Sequence, residues 1–211
     1  MAVTGFILVG FVIGHMLGNL KIFQGEEKFN AYAVWLREVG SPAVGHAQFL
    51  WLARLILVSA TVLHVVAAVQ LTQMSYAARP VSYGRWEAVQ ATYASRTMRW
   101  GGVIITLFVI YHLLHFTFGA VGYAPGQYRP MSVYRNIVIG FSVWYVSAFY
   151  IAAMVALGLH MYHGVWSMLH TLGLDTASAN RLYRALATVS SLVVVLGNIS
   201  VPVAVLTGLV R

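Results

Sequence analysis

Five apolar stretches, each long enough to cross a lipid bilayer, constrain this chain more than any other feature. A spanning helix needs about 20 mainly apolar residues. Such stretches occur at about 1–20, 49–73, 100–121, 137–170 and 185–210. Inside a bilayer, backbone groups must bond to one another, which favours helices. The sequence therefore predicts an all-α integral membrane bundle of five transmembrane helices, with residues 1–211 forming one transmembrane domain.

The composition supports a membrane protein and argues against a nucleic-acid-binding one. Charged residues make up only 9% of the chain, whereas soluble domains carry about 25%. The net charge is +8, but the Lys and Arg residues lie almost entirely between the apolar stretches. Basic residues in such places meet anionic lipid head groups. We therefore expect membrane lipid, and no nucleic acid, as their partner.

The first apolar stretch is predicted to stay in the protein as a span. It begins at Met1 without the basic segment that opens a secretory signal peptide, and it contains His15. The side of the N-terminus is called side A here, and the opposite side is side B. Basic residues are divided almost equally between the two sides, so charge alone does not orient the chain.

Histidines inside the apolar stretches are the strongest functional signal. Ionisable side chains are costly within a membrane, and their presence there points to function. The first four stretches all contain histidine, and the fifth contains none. We single out one histidine from each of these four stretches as a candidate cofactor ligand: His15, His64, His112 and His160.

The positions of these four histidines predict two facing pairs. Their spacings along the chain are 49, 48 and 48 residues, and successive helices cross the membrane in opposite directions. His64 and His160 should therefore share a depth in the A half, called the A level. His15 and His112 should share a depth in the B half, called the B level. Helix bundles commonly build cofactor sites from facing side chains in this way.

Haem b suits such pairs, because two neutral imidazoles can serve as its axial ligands. A flat macrocycle needs small neighbours one turn from each ligand. The A-level histidines have them, namely Ala60, Ala68, Ala156 and Gly164. The B-level histidines have the bulkier Phe11, Asn19, Phe108 and Phe116. Gly10, Gly14 and Gly18 form a ridge beside His15, which we interpret as a surface for close helix packing. One or two haems are therefore expected.

The roles of the other histidines and the identity of the cofactor stay open. His115 and His163 each lie three residues beyond a candidate ligand, and either could replace it, although a supporting or interfacial role suits them better. His46 and His170 fall at membrane edges. A Rieske-type [2Fe–2S] cluster is bound by two histidines and two cysteines. Because this chain has no cysteine, a partner would have to supply the thiolates.

Several motifs resemble the five-helix cytochrome b membrane-anchor subunit of succinate dehydrogenase, in the succinate:quinone oxidoreductase and fumarate reductase family. They are residues 15–32 (HMLGNLKIFQGEEKFNAY), 95–102 (SRTMRWGG), 111–116 (YHLLHF) and 160–173 (HMYHGVWSMLHTLG). The resemblance covers almost the whole chain. It implies an anchor for a flavoprotein and an iron–sulfur subunit at the cytoplasmic membrane. The family's haem ligands fall on His15, His64, His112 and His160, and side A would be cytoplasmic.

The resemblance also implies electron transfer between succinate and a membrane quinone, with the chain as a subunit that does not itself bind succinate. A candidate quinone site lies where the third stretch begins on side A, at Ser95, Arg99 and Trp100. Arg and Trp also anchor helices at membrane interfaces, which is the simpler interpretation. A small transporter or proton channel is the alternative function. The predicted spans contain no Asp or Glu, which proton relays often use.

Overall fold

The computed structural model describes residues 1–78, 93–173 and 179–211. Within these residues the chain is all-α and contains no strand, which confirms the predicted fold class. The α-helices, numbered in chain order, are α1 (Ala2–Asn19), α2 (Glu26–Glu38), α3 (Gln48–Ala77), α4 (Tyr93–His112), α5 (Val133–Ser142), α6 (Trp144–Thr171) and α7 (Ala179–Leu206). A 3₁₀ turn (Leu20–Gln24) follows α1, and a π-helical turn (Leu113–Thr117) continues α4.

Five of these segments are long and apolar enough to cross a membrane. They are Ala2–Gln24, Gln48–Ala77, Met98–Thr117, Trp144–Thr171 and Asn180–Leu206. Each overlaps one of the five stretches predicted from the sequence. Many large apolar side chains on these helices are exposed on the surface of the isolated chain. Such a surface suits contact with lipid tails, and the chain is a multi-pass membrane protein.

Helix α6 lies at the centre of the bundle. It packs most extensively against α7 and next against α4, and it also contacts α1. The larger cluster of buried side chains is built mainly from α4 to α7, together with the 3₁₀ turn and α2. A smaller cluster of Met16, Met161 and Val194 joins α1, α6 and α7. Helix α3 is peripheral. Within the described residues it packs on α1 and α2, and it makes few contacts, if any, with α4 or α6.

The fourth predicted span differs from the structure, because the stretch at about 137–170 is two helices. The break lies at Val143, whose backbone is extended (φ −84°, ψ 107°). Its two sides are stabilised by side-chain hydrogen bonds, since the hydroxyl of Ser142 donates to the Val138 carbonyl and that of Ser147 to the Phe141 carbonyl. The membrane span is therefore α6 alone, and α5 is a separate short helix on side B.

A second helix on side B, α2, lies between the first and second predicted spans. Glu26 and Glu27 occupy its first turn and Arg37 its last. This arrangement suits the helix dipole, which favours acidic residues at the start and basic ones at the end. Helix α2 packs against α5 and the 3₁₀ turn. The two short helices therefore cover the side B end of the bundle.

Candidate cofactor site

The A-level histidines face each other across the bundle. His64 lies on α3 and His160 on α6, and their ring centroids are 6.4 Å apart with planes at 64°. Both side chains are half-buried. The Nδ1 atom of His160 is buried, and within the described residues it has no hydrogen-bond partner. The Nδ1 atom of His64 lies 3.0 Å from the hydroxyl oxygen of Thr4 on α1, a neighbour that the sequence analysis did not identify.

The B-level histidines also face each other. His15 lies on α1 and His112 at the end of α4, with ring centroids 5.9 Å apart and planes at 83°. His112 is surrounded by aromatic rings, with those of Phe108, Phe116 and Tyr150 centred within 6 Å. Phe11 stacks on His15 at 5.3 Å. The structure thus brings together the two pairs deduced from chain position, while their role as ligands stays a prediction.

Glycines lie beside the A-level rings. A Cβ atom on Gly5 would lie 3.7 Å from Cε1 of His64, and one on Gly102 would lie 3.8 Å from Cε1 of His160. A Cβ atom on Gly164, one turn from His160, would have no neighbour within 4 Å among the described residues. Backbone without side chains therefore borders both A-level rings, with open space at Gly164.

The glycine ridge beside His15 does not pack against a neighbouring helix along its whole length, although the sequence predicted that it would. Only Gly18 lies in close contact, where a Cβ atom would come within 2.8 Å of the Tyr32 hydroxyl oxygen. Among the described residues, Gly10 and Gly14 have no atom within 4 Å of their Cβ positions, apart from their chain neighbours and the backbone of their own helix. The expectation of close helix packing is wrong for these two. Their Cβ positions are open, whereas those of Gly5 and Gly102 each meet a histidine ring.

His115 lies in the side B core. Its side chain is fully buried, and its Nδ1 atom is hydrogen-bonded to the Tyr150 hydroxyl at 2.9 Å. Phe116 stacks on it at 4.1 Å, and glycines pack closely against its Nε2 edge, namely Gly122 and Gly140. Tyr123 lies beside it at 5.0 Å, and burial raises the pKa of that phenol well above its usual range. His115 therefore sits among neutral rings and does not face His15.

The remaining histidines either contact aromatic rings or are exposed. The ring of His163 packs edge-on against Trp166 at 5.8 Å. His170 packs against Trp166 at 4.7 Å and against Tyr183 of α7 at 6.1 Å. His46 is exposed in the connection between α2 and α3. None of these three forms a facing histidine pair within the described residues.

The candidate quinone residues lie at the side A end of α4. The side chain of Ser95 lies outside the described residues. Arg99 and Trp100 are exposed. The Arg99 guanidinium donates a 2.8 Å hydrogen bond to the Tyr76 hydroxyl and lies 4.8 Å from the centre of that ring. Arg99 thus links α4 to the end of α3, and Tyr76 is a polar neighbour that the sequence analysis missed.

The described part of the chain holds no larger cluster of metal-binding side chains. No group of three or more His, Asp or Glu side chains there is arranged to hold a metal ion. A closed site made of four protein ligands, as structural zinc requires, is therefore not found among these residues.

In comparisons with family models, curated proteins and solved structures, no match to this chain is found.

Proposed function

We propose that this chain is the membrane-anchor and electron-transfer subunit of a succinate:quinone oxidoreductase, and that its histidine pairs hold haem b. The observation that carries the proposal is the presence of two facing histidine pairs on four different spans. The ring centroids are 6.4 Å apart in the A-level pair and 5.9 Å apart in the B-level pair. A histidine pair at each of two depths suits the passage of electrons through a bilayer core about 30 Å thick.

The ring separation at the A level fits axial ligation of one metal by both histidines. An imidazole nitrogen lies about 1.1–1.2 Å from its ring centroid and binds a metal at about 2.0–2.1 Å. Two imidazoles that both bind one metal from opposite sides would therefore have centroids about 6.2–6.6 Å apart. The observed distance of 6.4 Å between His64 and His160 falls in this range.

The chain's own side chains favour haem over a Rieske-type cluster, because both histidine ligands of haem lie in this chain, whereas the cluster would need two thiolates as well. The chain contains no cysteine. At the B level, aromatic rings surround His112. Haem at the B level therefore has weaker support than haem at the A level.

Each part of the site has a distinct role in this proposal. Bound haem would supply a one-electron carrier whose potential depends on its axial ligands. His64 and His160 would hold it at the A level through ring nitrogens. Gly5 and Gly102 place backbone without a side chain beside the two histidine rings. The surrounding apolar helices keep water and charge away, which sets the dielectric around the centre.

The partners and the substrate follow from the sequence resemblance. A flavoprotein and an iron–sulfur subunit would dock on side A, at the cytoplasmic face of the cell membrane. Quinone would bind where a polar group meets the bilayer, and the paired Arg99 and Tyr76 supply donors there. The exposure of Arg99 and Trp100 suits interfacial anchoring equally well.

The visible spectrum of the purified chain tests this proposal. We expect the dithionite-reduced chain to show the sharp bands of a b-type haem, with one or two haems and matching iron per chain. A colourless chain that is fully folded, with its helical content intact, would contradict it. Iron accompanied by acid-labile sulfide, without haem bands, would indicate the cluster held with partner thiolates instead.

A further inference from the structure

Thr4 on α1 contacts the outer edge of the A-level histidine on α3. Its hydroxyl oxygen lies 3.0 Å from Nδ1 of His64. The same hydroxyl donates to the carbonyl oxygen of Met1 at 2.9 Å. A hydroxyl carries a single hydrogen and two lone pairs. While its hydrogen is donated to Met1, Thr4 can only accept from His64, which favours a proton on Nδ1 of His64.

The position of that proton decides which nitrogen is free to bind a metal. In a neutral imidazole one nitrogen is a donor and the other an acceptor. A proton on Nδ1 leaves the lone pair of His64 on Nε2. Outer hydrogen-bond partners of metal-ligating histidines commonly fix the tautomer and the ring orientation in this way.

Helix α1 also restricts the same ring through its next residue. A Cβ atom on Gly5 would lie 3.7 Å from Cε1 of His64, an ordinary van der Waals distance. The backbone of α1 therefore runs alongside the ring, while Thr4 holds one of its atoms. His160 lacks an equivalent support, since its buried Nδ1 has no partner among the described residues.

We propose that Thr4 is a positioning residue that holds His64 as its Nδ1–H tautomer and thereby presents Nε2 to the metal of the A-level centre. This inference rests on the proposed haem site. Helix α1 then has two roles, since it carries His15 of the B level and orients a ligand of the A level.

The test compares two substitutions of Thr4 in the full chain loaded with haem b. Thr4→Val keeps the shape but removes the hydroxyl, whereas Thr4→Ser keeps the hydroxyl. Loss of an outer hydrogen-bond partner typically costs about 10–100-fold in metal affinity. We expect that loss of haem affinity in Thr4→Val, measured by transfer to an excess of a haem-binding competitor protein, together with a shifted midpoint potential. Thr4→Ser should resemble the unaltered chain.

Two results separate this inference from the proposed function. If Thr4→Val binds haem like the unaltered chain while His64→Ala does not, the role of Thr4 is wrong and the haem site stands. If His64→Ala also binds haem like the unaltered chain, both are wrong. A measurement that needs no variant at Thr4 uses the nitrogen NMR spectrum of the ¹⁵N-histidine-labelled full chain in bilayers, with His64 assigned by His64→Ala. A proton on Nδ1 is expected, and a proton on Nε2 would overturn the inference.

Discussion

Replacing His64 or His160 with alanine is expected to remove the A-level centre and to abolish quinone reduction by the assembled complex. The physical reason is that each histidine would supply one of the two ring nitrogens that hold the proposed haem, and the ring centroids lie 6.4 Å apart. Loss of a ligand should lower haem affinity by more than the factor of about 10–100 that is typical when an outer hydrogen-bond partner is lost. The measurements are haem content per chain and the rate of quinone reduction by succinate.

Matched variants on the same helices separate ligation from general damage. His163→Ala changes a histidine three residues from His160 that packs on Trp166, and it should retain haem and activity. His15→Ala and His112→Ala should have milder effects than the A-level variants if the B level binds no haem. Full haem content and full activity in both A-level variants would show that the proposed site is wrong. Loss of one haem from each of the four variants would show that both levels are occupied.

The purified chain alone is expected to show no succinate oxidation. Flavin and dinucleotide sites are often built on a parallel sheet with a glycine-rich turn, and the described residues contain no strand. Most of these residues belong to five spans, whose surfaces are largely apolar. The described residues therefore lack the sheet on which such sites are often built.

The assay should use an artificial dye as electron acceptor, so that the quinone site is not required. The complex purified from membranes serves as the positive control. Adding the separated flavoprotein and iron–sulfur subunits to the chain should restore quinone reduction as well as succinate oxidation. Dye reduction by the chain alone would contradict the assignment of this protein as a subunit that does not bind succinate.

The positions of the histidines along the chain were enough to predict which rings face each other. The spacing of 48 or 49 residues between successive histidines, combined with alternating helix direction, places His64 opposite His160 and His15 opposite His112. This works because a spanning helix has a fixed rise per residue and a fixed direction through the membrane. Depth can therefore be deduced from sequence position alone.

Contacts around a helix axis could not be deduced in the same way. The glycines at 10, 14 and 18 looked alike in the sequence, yet only Gly18 packs against another side chain. Which face of α1 meets a neighbour depends on how the helices rotate and tilt, and packing sets this. The hydrogen bond between Thr4 and His64, 60 residues apart, could not be found from the sequence for the same reason.

Local backbone features could be predicted from the sequence only in part. The break at Val143 interrupts an apolar stretch that contains no proline or charge near it, so hydropathy gave no sign of it. Helix α2 did leave a signal, with Glu26 and Glu27 at its start and Arg37 at its end. Dipole-matched charges of this kind would have identified the helix.

Pulsed electron paramagnetic resonance of the ¹⁵N-histidine-labelled chain, purified with its bound cofactor, tests the central claim most directly. Hyperfine couplings report which nitrogens bind a paramagnetic iron. We predict couplings from two histidine nitrogens at the A-level centre, and their loss together with the iron signal in both His64→Ala and His160→Ala. An iron centre without coupling to any histidine nitrogen, or the absence of any paramagnetic centre in the folded and oxidised chain, would contradict the claim that the facing histidines hold a redox metal.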